Sequence, residues 1–166
     1  MKYYKGRFRW SDIDANRHIR NTAYNDMFIE ARLAKFREYG FSQKIMAKLG
    51  LGPMVIHEHL YYVKELTIDG DFYIDLQMKG SSADHRYNRL VQHLFNDKGE
   101  LCCFLDMTFA ILDLKARKLA TPPGEMLEAL KSIPQTENYL LLDSSALKSE
   151  VVPYGLTINP STFEEI

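Results

Sequence analysis

The feature that most constrains this chain is a change of period partway along it. From Thr22 onward, Tyr24, Met27, Phe28, Ala31 and Ala34 recur at steps of three and four, while Asp26, Arg32, Lys35 and Glu38 fall largely elsewhere. That spacing gathers the apolar set on one face of a long α-helix and leaves the charges to its polar side. After Pro53 the period falls to two, with Phe72, Ile74, Leu76 and Met78 alternating against Tyr73, Asp75, Gln77 and Lys79. Alternation of this kind belongs to strands with one buried face. One long helix and several such strands can bury their apolar faces together only by laying the helix against the sheet.

The punctuation fits that plan. Asn21 or Thr22 is expected to cap the long helix, and Gly40 to end it in the left-handed conformation. Ser42 and Gly50 bracket a second helix, Gln43 to Leu49. Lys2 to Trp10 alternate aromatic and basic side chains, which suits a first strand, and the polar run from Ser11 to Arg20 reads as loop. Four further strands are expected over 54–66, 71–79, 85–95 and 100–112, with Asp69-Gly70 as a hairpin turn and Asn96 to Gly99 as a tight turn. Thr121-Pro122-Pro123 introduces a short helix, Gly124 to Lys131. The fold class expected is α+β: a five-stranded antiparallel sheet with one helix against a face, over residues 1–132. Residues 133–166 form an extension in which Leu140-Leu141-Leu142 and Val151-Val152-Pro153-Tyr154 are too apolar for a free linker, so it is expected to pack on the domain or a partner subunit.

Of the 166 residues, 46% are hydrophobic and 12% aromatic, enough to build a core in one domain. The 21 basic residues nearly balance the 22 acidic ones, so no global field draws nucleic acid, and any anionic ligand must be met by local charges. The N-terminus lacks an apolar leader segment, and no run reaches the roughly 18 apolar residues of a membrane span. The expectation is a cytoplasmic protein without membrane insertion. Cys102 and Cys103 are neighbours on a strand, whose side chains point to opposite faces, which argues against a disulfide or a structural zinc site. His57 and His59 share a strand face, but no carboxylate or cysteine pattern completes a ligand set, so no metal is expected.

The segment before the long helix carries Asp12, Asp14, His18, Asn21 and Tyr24 in the pattern Asp-x-Asp-x-x-x-His-x-x-Asn-x-x-Tyr. With the order of elements, this resembles the hotdog-fold acyl-CoA thioesterases of the 4-hydroxybenzoyl-CoA thioesterase-like superfamily over roughly residues 2 to 130. Ala83-Asp84-His85-Arg86 with His93, and Asp113 to Pro123 with Arg117-Lys118-Leu119, are similar to further features of bacterial members. The sequence departs from the pattern at Arg17, where several relatives have Gly, and at Trp10 and Asn21, where the short-chain and carrier-protein branch has Tyr and His.

The resemblance implies a curved sheet wrapped around one central helix, a homodimer or dimer of dimers with sites at the subunit boundary, and hydrolysis of acyl-CoA or acyl-carrier-protein thioesters. It implies Asp14 as the catalytic carboxylate, with helix N–H groups near Asn21 as the oxyanion site. The physics agrees, because the first N–H groups of a helix are unpaired and its dipole favours negative charge there. Asp14 would act as general base or as nucleophile, and the residue type alone does not choose. The plainer reading of Asp12 and Asp14 is loop capping. His18 either orients Asp14 or satisfies buried backbone groups, and the cap role alone would account for Asn21. Tyr24 is either a pocket wall or a core aromatic; Trp10, Asn16 and Tyr62 complete the expected substrate-binding set. Arg86 and Arg89, with Lys64 and Lys79, are candidates for coenzyme A phosphates. Arg117-Lys118 makes a weaker case. Glu30, on the helix beside Arg32, is read as a structural ion pair. No cofactor is expected beyond coenzyme A as part of the substrate. The competing functions are a hotdog module that binds acyl chains or carrier protein without turnover, and a hydratase, whose residue pattern differs.

Overall fold

A computed structural model describes residues 2–149 together with Val151, Val152, Tyr154 and Thr157. Its elements are β1 (Tyr4–Arg7), a short 3-10 turn (Trp10–Asp12), α1 (Asn21–Glu38), α2 (Gln43–Leu49) and β2 (Leu51–Tyr62). There follow β3 (Asp71–Ile74), β4 (Gln77–Ser81), β5 (Tyr87–Phe95), β6 (Leu101–Asp113), β7 (Lys118–Leu119), α3 (Gly124–Lys131), β8 (Gln135–Leu141) and a second 3-10 turn (Ser144–Leu147). The fold is α+β, a curled antiparallel sheet around one long helix, as the hotdog resemblance implies. The helix boundaries follow from local chemistry. Ser42 Oγ accepts the Ile45 N–H at 3.4 Å, and Gly50 closes α2 at φ +65°. Gly40 follows α1 at φ +86°, a conformation open to glycine.

Strand pairing runs β1 with β3, β3 and β4 with β5, β5 with β6, and β6 with β2, all antiparallel. Asp69-Gly70 is therefore a turn but not a hairpin: β2 lies at the far edge beside β6, and the chain crosses the sheet before starting β3. The single strand expected over 71–79 is two segments separated at Asp75 and Leu76. There the Asp75 carboxylate takes the His93 backbone N–H at 2.8 Å and contacts the His93 ring at 3.0 Å. The extension contributes β8, which runs parallel to β4, so the sheet is not wholly antiparallel. The expectation for residues 151–154 falls partly outside the described residues.

One cluster forms the core. Tyr24, Met27, Phe28 and Ala31 of α1 pack with Leu90, Leu94, Leu105, Met107 and Phe109 of the sheet. Gln92 Nε2 donates to the Phe28 carbonyl at 3.2 Å, a second bond to a carbonyl the helix ladder already uses, and so ties the sheet to the helix backbone. The helix pattern needs one correction. Arg32 and Lys35, assigned by periodicity to the polar side, are only 7% and 2% exposed. Lys35 follows Ala31 by four residues and Phe28 by seven, which places it on the apolar stripe itself, and Arg32 follows Phe28 by four, at the stripe's border. Lys35 reaches outward to Glu38, 3.0 Å away.

The outer face of the sheet carries polar side chains. Arg89 meets Asp106 through two nitrogens at 2.6 and 2.7 Å, and Lys79 meets it at 2.7 Å. Burial pushes the Asp106 carboxyl up, but the hydrogen bonds and charges of Arg89 and Lys79 outweigh it and hold the group below its ordinary range. Beyond β8 the chain crosses toward β2, where the Ala146 carbonyl lies 3.1 Å from His57 Nε2. His57 and His59 stack edge to face with ring centroids 5.5 Å apart.

Two outcomes are expected. Phe28→Ala, which empties a fully buried site, should lower unfolding free energy by about 3–5 kcal/mol in chemical denaturation. A carboxyl depressed in the native state stabilises the fold above its unfolded-state pKa, and that stability is lost as pH falls through the native value. Asp106→Asn should therefore melt lower than wild type at neutral pH and show a shallower loss of Tm as pH falls toward about 3.

Candidate active site at the start of the long helix

The loop before α1 is shaped by its backbone. Ile13 and Ile19 form an isolated antiparallel bridge, the Asp14 N–H donates to the His18 carbonyl at 2.9 Å, and the Arg17 N–H donates to the Asp14 carbonyl at 3.1 Å. Closing so tight a turn drives Arg17 to φ +65°, a left-handed conformation that glycine adopts more easily. Glycine would adopt this turn without steric cost, and Arg17 adopts it with a side chain.

Within this turn the two aspartates divide their roles. Asp12 is 7% exposed; its Oδ2 accepts the Arg9 N–H at 2.8 Å and its carbonyl accepts the Arg20 N–H at 2.7 Å. It is a loop-capping residue. Asp14 accepts two backbone N–H groups through Oδ1, from Asn16 at 2.8 Å and His18 at 3.1 Å. Its Oδ2 has no hydrogen-bond partner among the described residues. Capping therefore explains one oxygen of Asp14 and leaves the other available.

The helix start differs from expectation. Arg20, not Asn21 or Thr22, is the N-cap, because its backbone is held extended between Asp12 and the Ile19 to Leu66 hydrogen bond. Arg20 makes no side-chain cap, its guanidinium being drawn back to the Ser11 carbonyl at 3.1 Å. Asn21 is the first helical residue, with its Oδ1 2.9 Å from the Thr22 nitrogen. The Asn21 N–H has no acceptor among the described residues, so the positive end of an 18-residue helix is open at this point.

Asp14, His18, Asn21, Tyr24, Tyr62 and Lys64 line a single cleft of about 350 Å³. His18 Nε2 lies 3.3 Å from Glu65 Oε2, which also borders the cleft. Tyr62 reaches across from the end of β2, its hydroxyl 3.5 Å from the Asn21 carbonyl and its ring edge-to-face with Tyr24 at 5.2 Å. Tyr24 is both core and wall: 4% exposed, yet bordering the cleft, with burial pushing its phenol up to about 12. It is therefore neutral at any working pH.

Other expected residues stand apart. Trp10, in the short turn Trp10–Asp12, is 84% exposed and does not border the cleft. Asn16 contributes its backbone N–H to Asp14. Arg89 is committed to Asp106 on the outer face, Lys79 shares that carboxylate, and Arg86 pairs with Asp84 at 2.5 Å. Glu30 pairs with Arg9 of the loop, not with Arg32. Of the proposed phosphate contacts, Lys64 alone borders the cleft, with Glu100 2.6 Å from its amine. Glu65 was not singled out from the sequence. Its place depends on where β2 ends relative to the helix start, which no local pattern encodes.

Residues 8–130 match the model of the Thioesterase-like superfamily. No curated protein matches the sequence at a significant level. Among solved structures, a hypothetical protein from Staphylococcus aureus in complex with CoA superposes with a TM-score of 0.73 at 18% identity, covering 91% of this chain and 94% of that one. The probable thioesterase YbaW from Escherichia coli gives 0.69 at 20%, covering 80% and 98%. A DHNA-CoA thioesterase from Staphylococcus aureus gives 0.65 at 21%, covering 72% and 78%. At these identities the structural likeness establishes the fold, and the family match spans the Asp14 loop, α1 and the strands around it. The chain belongs to the thioesterase-like superfamily.

Proposed function

We propose that this protein hydrolyses an acyl-CoA thioester in the cleft between the Asp14 loop, the start of α1 and the end of β2. The observation that carries this reading is the pairing of an uncommitted carboxylate oxygen on Asp14 with an open N–H at Asn21, both bordering one cleft. Thioester hydrolysis needs a nucleophile at the carbonyl carbon and donors for the charge that develops on the carbonyl oxygen. Asp14 supplies the first, either by taking a proton from an attacking water or by attacking to form an anhydride that water then opens. The Asn21 N–H and the helix dipole supply the second. The carbon–sulfur bond breaks: with Asp14 as base, the proton it takes from water passes to the leaving thiolate, and with Asp14 as nucleophile the thiolate leaves first and takes its proton from solvent before water opens the anhydride. His18 positions the loop, Tyr24 and Tyr62 wall the acyl side, and Lys64 offers charge to the coenzyme A phosphates.

The alternative of a non-catalytic acyl-binding module drew support from the departures at Arg17, Trp10 and Asn21. Arg17 reaches the left-handed turn without glycine, Trp10 lies away from the cleft, and Asn21 is used here through its main chain. None of these removes the chemistry.

The working form in this reading is a homodimer. β2 pairs only with β6 among the described residues, and its free edge runs past Val55, Tyr61 and Tyr62, which are 48%, 55% and 56% exposed. A long open strand with apolar side chains favours pairing with a second copy.

Two measurements test this reading. Asp14→Asn keeps an oxygen for the Asn16 and His18 N–H groups, so its Tm should stay close to wild type while kcat for acyl-CoA hydrolysis falls about 10²–10⁴-fold. Thiol release by the variant at the wild-type rate would contradict the assignment. Light scattering on a sizing column should give a dimer mass for wild type, and Val55→Asp should shift it toward monomer.

A further inference from the structure

A second cavity, of about 250 Å³, lies further along the same helix, between α1 and the first half of β2. Ile29, Leu33, Phe36, Val55 and Phe109 make its walls apolar, and Arg32 and Glu58 are the charged groups that line it. Arg32 is 93% buried, and its hydrogen-bonding contact among the described residues is the Met107 sulfur. A thioether is a weak acceptor, poorly matched to a guanidinium with five N–H donors. Arg32 makes no ion pair with a described carboxylate; burial pulls its pKa down, and the charge of Glu58, which lines the same cavity, opposes that only in part. A buried cation left in this state is destabilising by itself, and an apolar residue would fill the space better.

The side of the helix that carries Arg32 has further polar groups toward its start. Asn21, Asn25 and Arg32 fall on one side of α1 at helical spacing, and Asn25 Oδ1 is buried without a hydrogen-bond partner. From Asn21 to Arg32 the helix rises on the order of 16 Å. An acyl group whose carbonyl sits at Asn21 would run along this stripe toward Arg32. A plain hydrocarbon lying there would leave both polar side chains unsatisfied.

We propose that Arg32 is a specificity-determining residue that binds an oxygen acceptor, hydroxyl or carboxylate, far along the substrate's acyl chain, so that the preferred thioesters carry oxygenated chains. The proposal rests on the reading of the Asp14 cleft as the thioester site. The two chemistries differ in what they ask of Glu58. A hydroxyl would accept from Arg32 and donate to Glu58, whereas a carboxylate would be held by Arg32 alone with Glu58 turned away.

The test compares saturated acyl-CoA esters with ω-hydroxy and ω-carboxy esters of matched length, on wild type, Arg32→Met and Arg32→Lys. The same acyl chains as free acids are titrated calorimetrically, so that binding is read without turnover. Wild type should favour an oxygenated series by about 10- to 100-fold in kcat/KM, the range of a lost hydrogen bond to a charged group. Arg32→Met, similar in reach and apolar, should fold and abolish or invert that preference. Arg32→Lys should keep part of it, which also covers the case in which the methionine variant fails to fold. Equal rates on both series by wild type would overturn the proposal, as would an unchanged ratio in Arg32→Met. An unchanged ratio with a loss of dimer would assign Arg32 to the contact between copies instead. If no ester is hydrolysed but the acids bind with an Arg32-dependent preference, the hydrolytic reading fails and the Arg32 assignment stands. Hydrolysis without that preference has the opposite meaning.

Discussion

The structure depends on how completely the sheet closes around α1. Phe28 and Ala31 are fully enclosed, and Arg32 and Lys35 on the same helix are buried with them. Burial on that scale fixes the axis and register of the helix, because close-packed interiors resist small displacements. Fixing the axis fixes the helix start, where the proposed chemistry lies. A mobile helix could not hold an open N–H at one place relative to a carboxylate; a helix locked by Phe28 on one side and by the Gln92 bond to its own backbone can.

The same closure determines which edge remains open. β1 and β8 cover successive parts of the β3–β4 edge, while β2 pairs with β6 on one edge and has no strand on its other edge among the described residues. Both cavities along α1 border β2, at its end near Tyr62 and at its beginning near Val55. The two cavities thus lie along one seam between helix and open strand, polar at the helix start and mostly apolar further along. That gradient suits a thioester, with its polar head at one end and acyl chain at the other.

Much of this was legible in the sequence, for local reasons. Ser42, Gly50, Asn96, Gly99 and Pro123 act within a few residues of themselves, and α2, the β5–β6 turn and α3 fall where those residues place them. Asp14, His18, Asn21, Tyr24 and Tyr62 were picked out and do border one cleft. What could not be read depends on distant pairing. Nothing near Asp69-Gly70 tells that β2 goes to the far edge, and nothing in β8 signals that it will run parallel beside β4. Arg32 looked like a surface residue because of its charge, although its spacing four residues after Phe28 puts it at the border of the apolar stripe. Arg89 looked free to meet a phosphate because its partner, Asp106, lies on another strand.

The central claim is that Asp14, beside the open start of α1, performs the chemical step. Single-turnover thiol release, with enzyme in excess over an acyl-CoA, isolates that step from product release. Wild type should release coenzyme A in a fast exponential, while Asp14→Asn should bind the same ester intact and release it at the uncatalysed rate. A fast exponential from the variant would contradict the account.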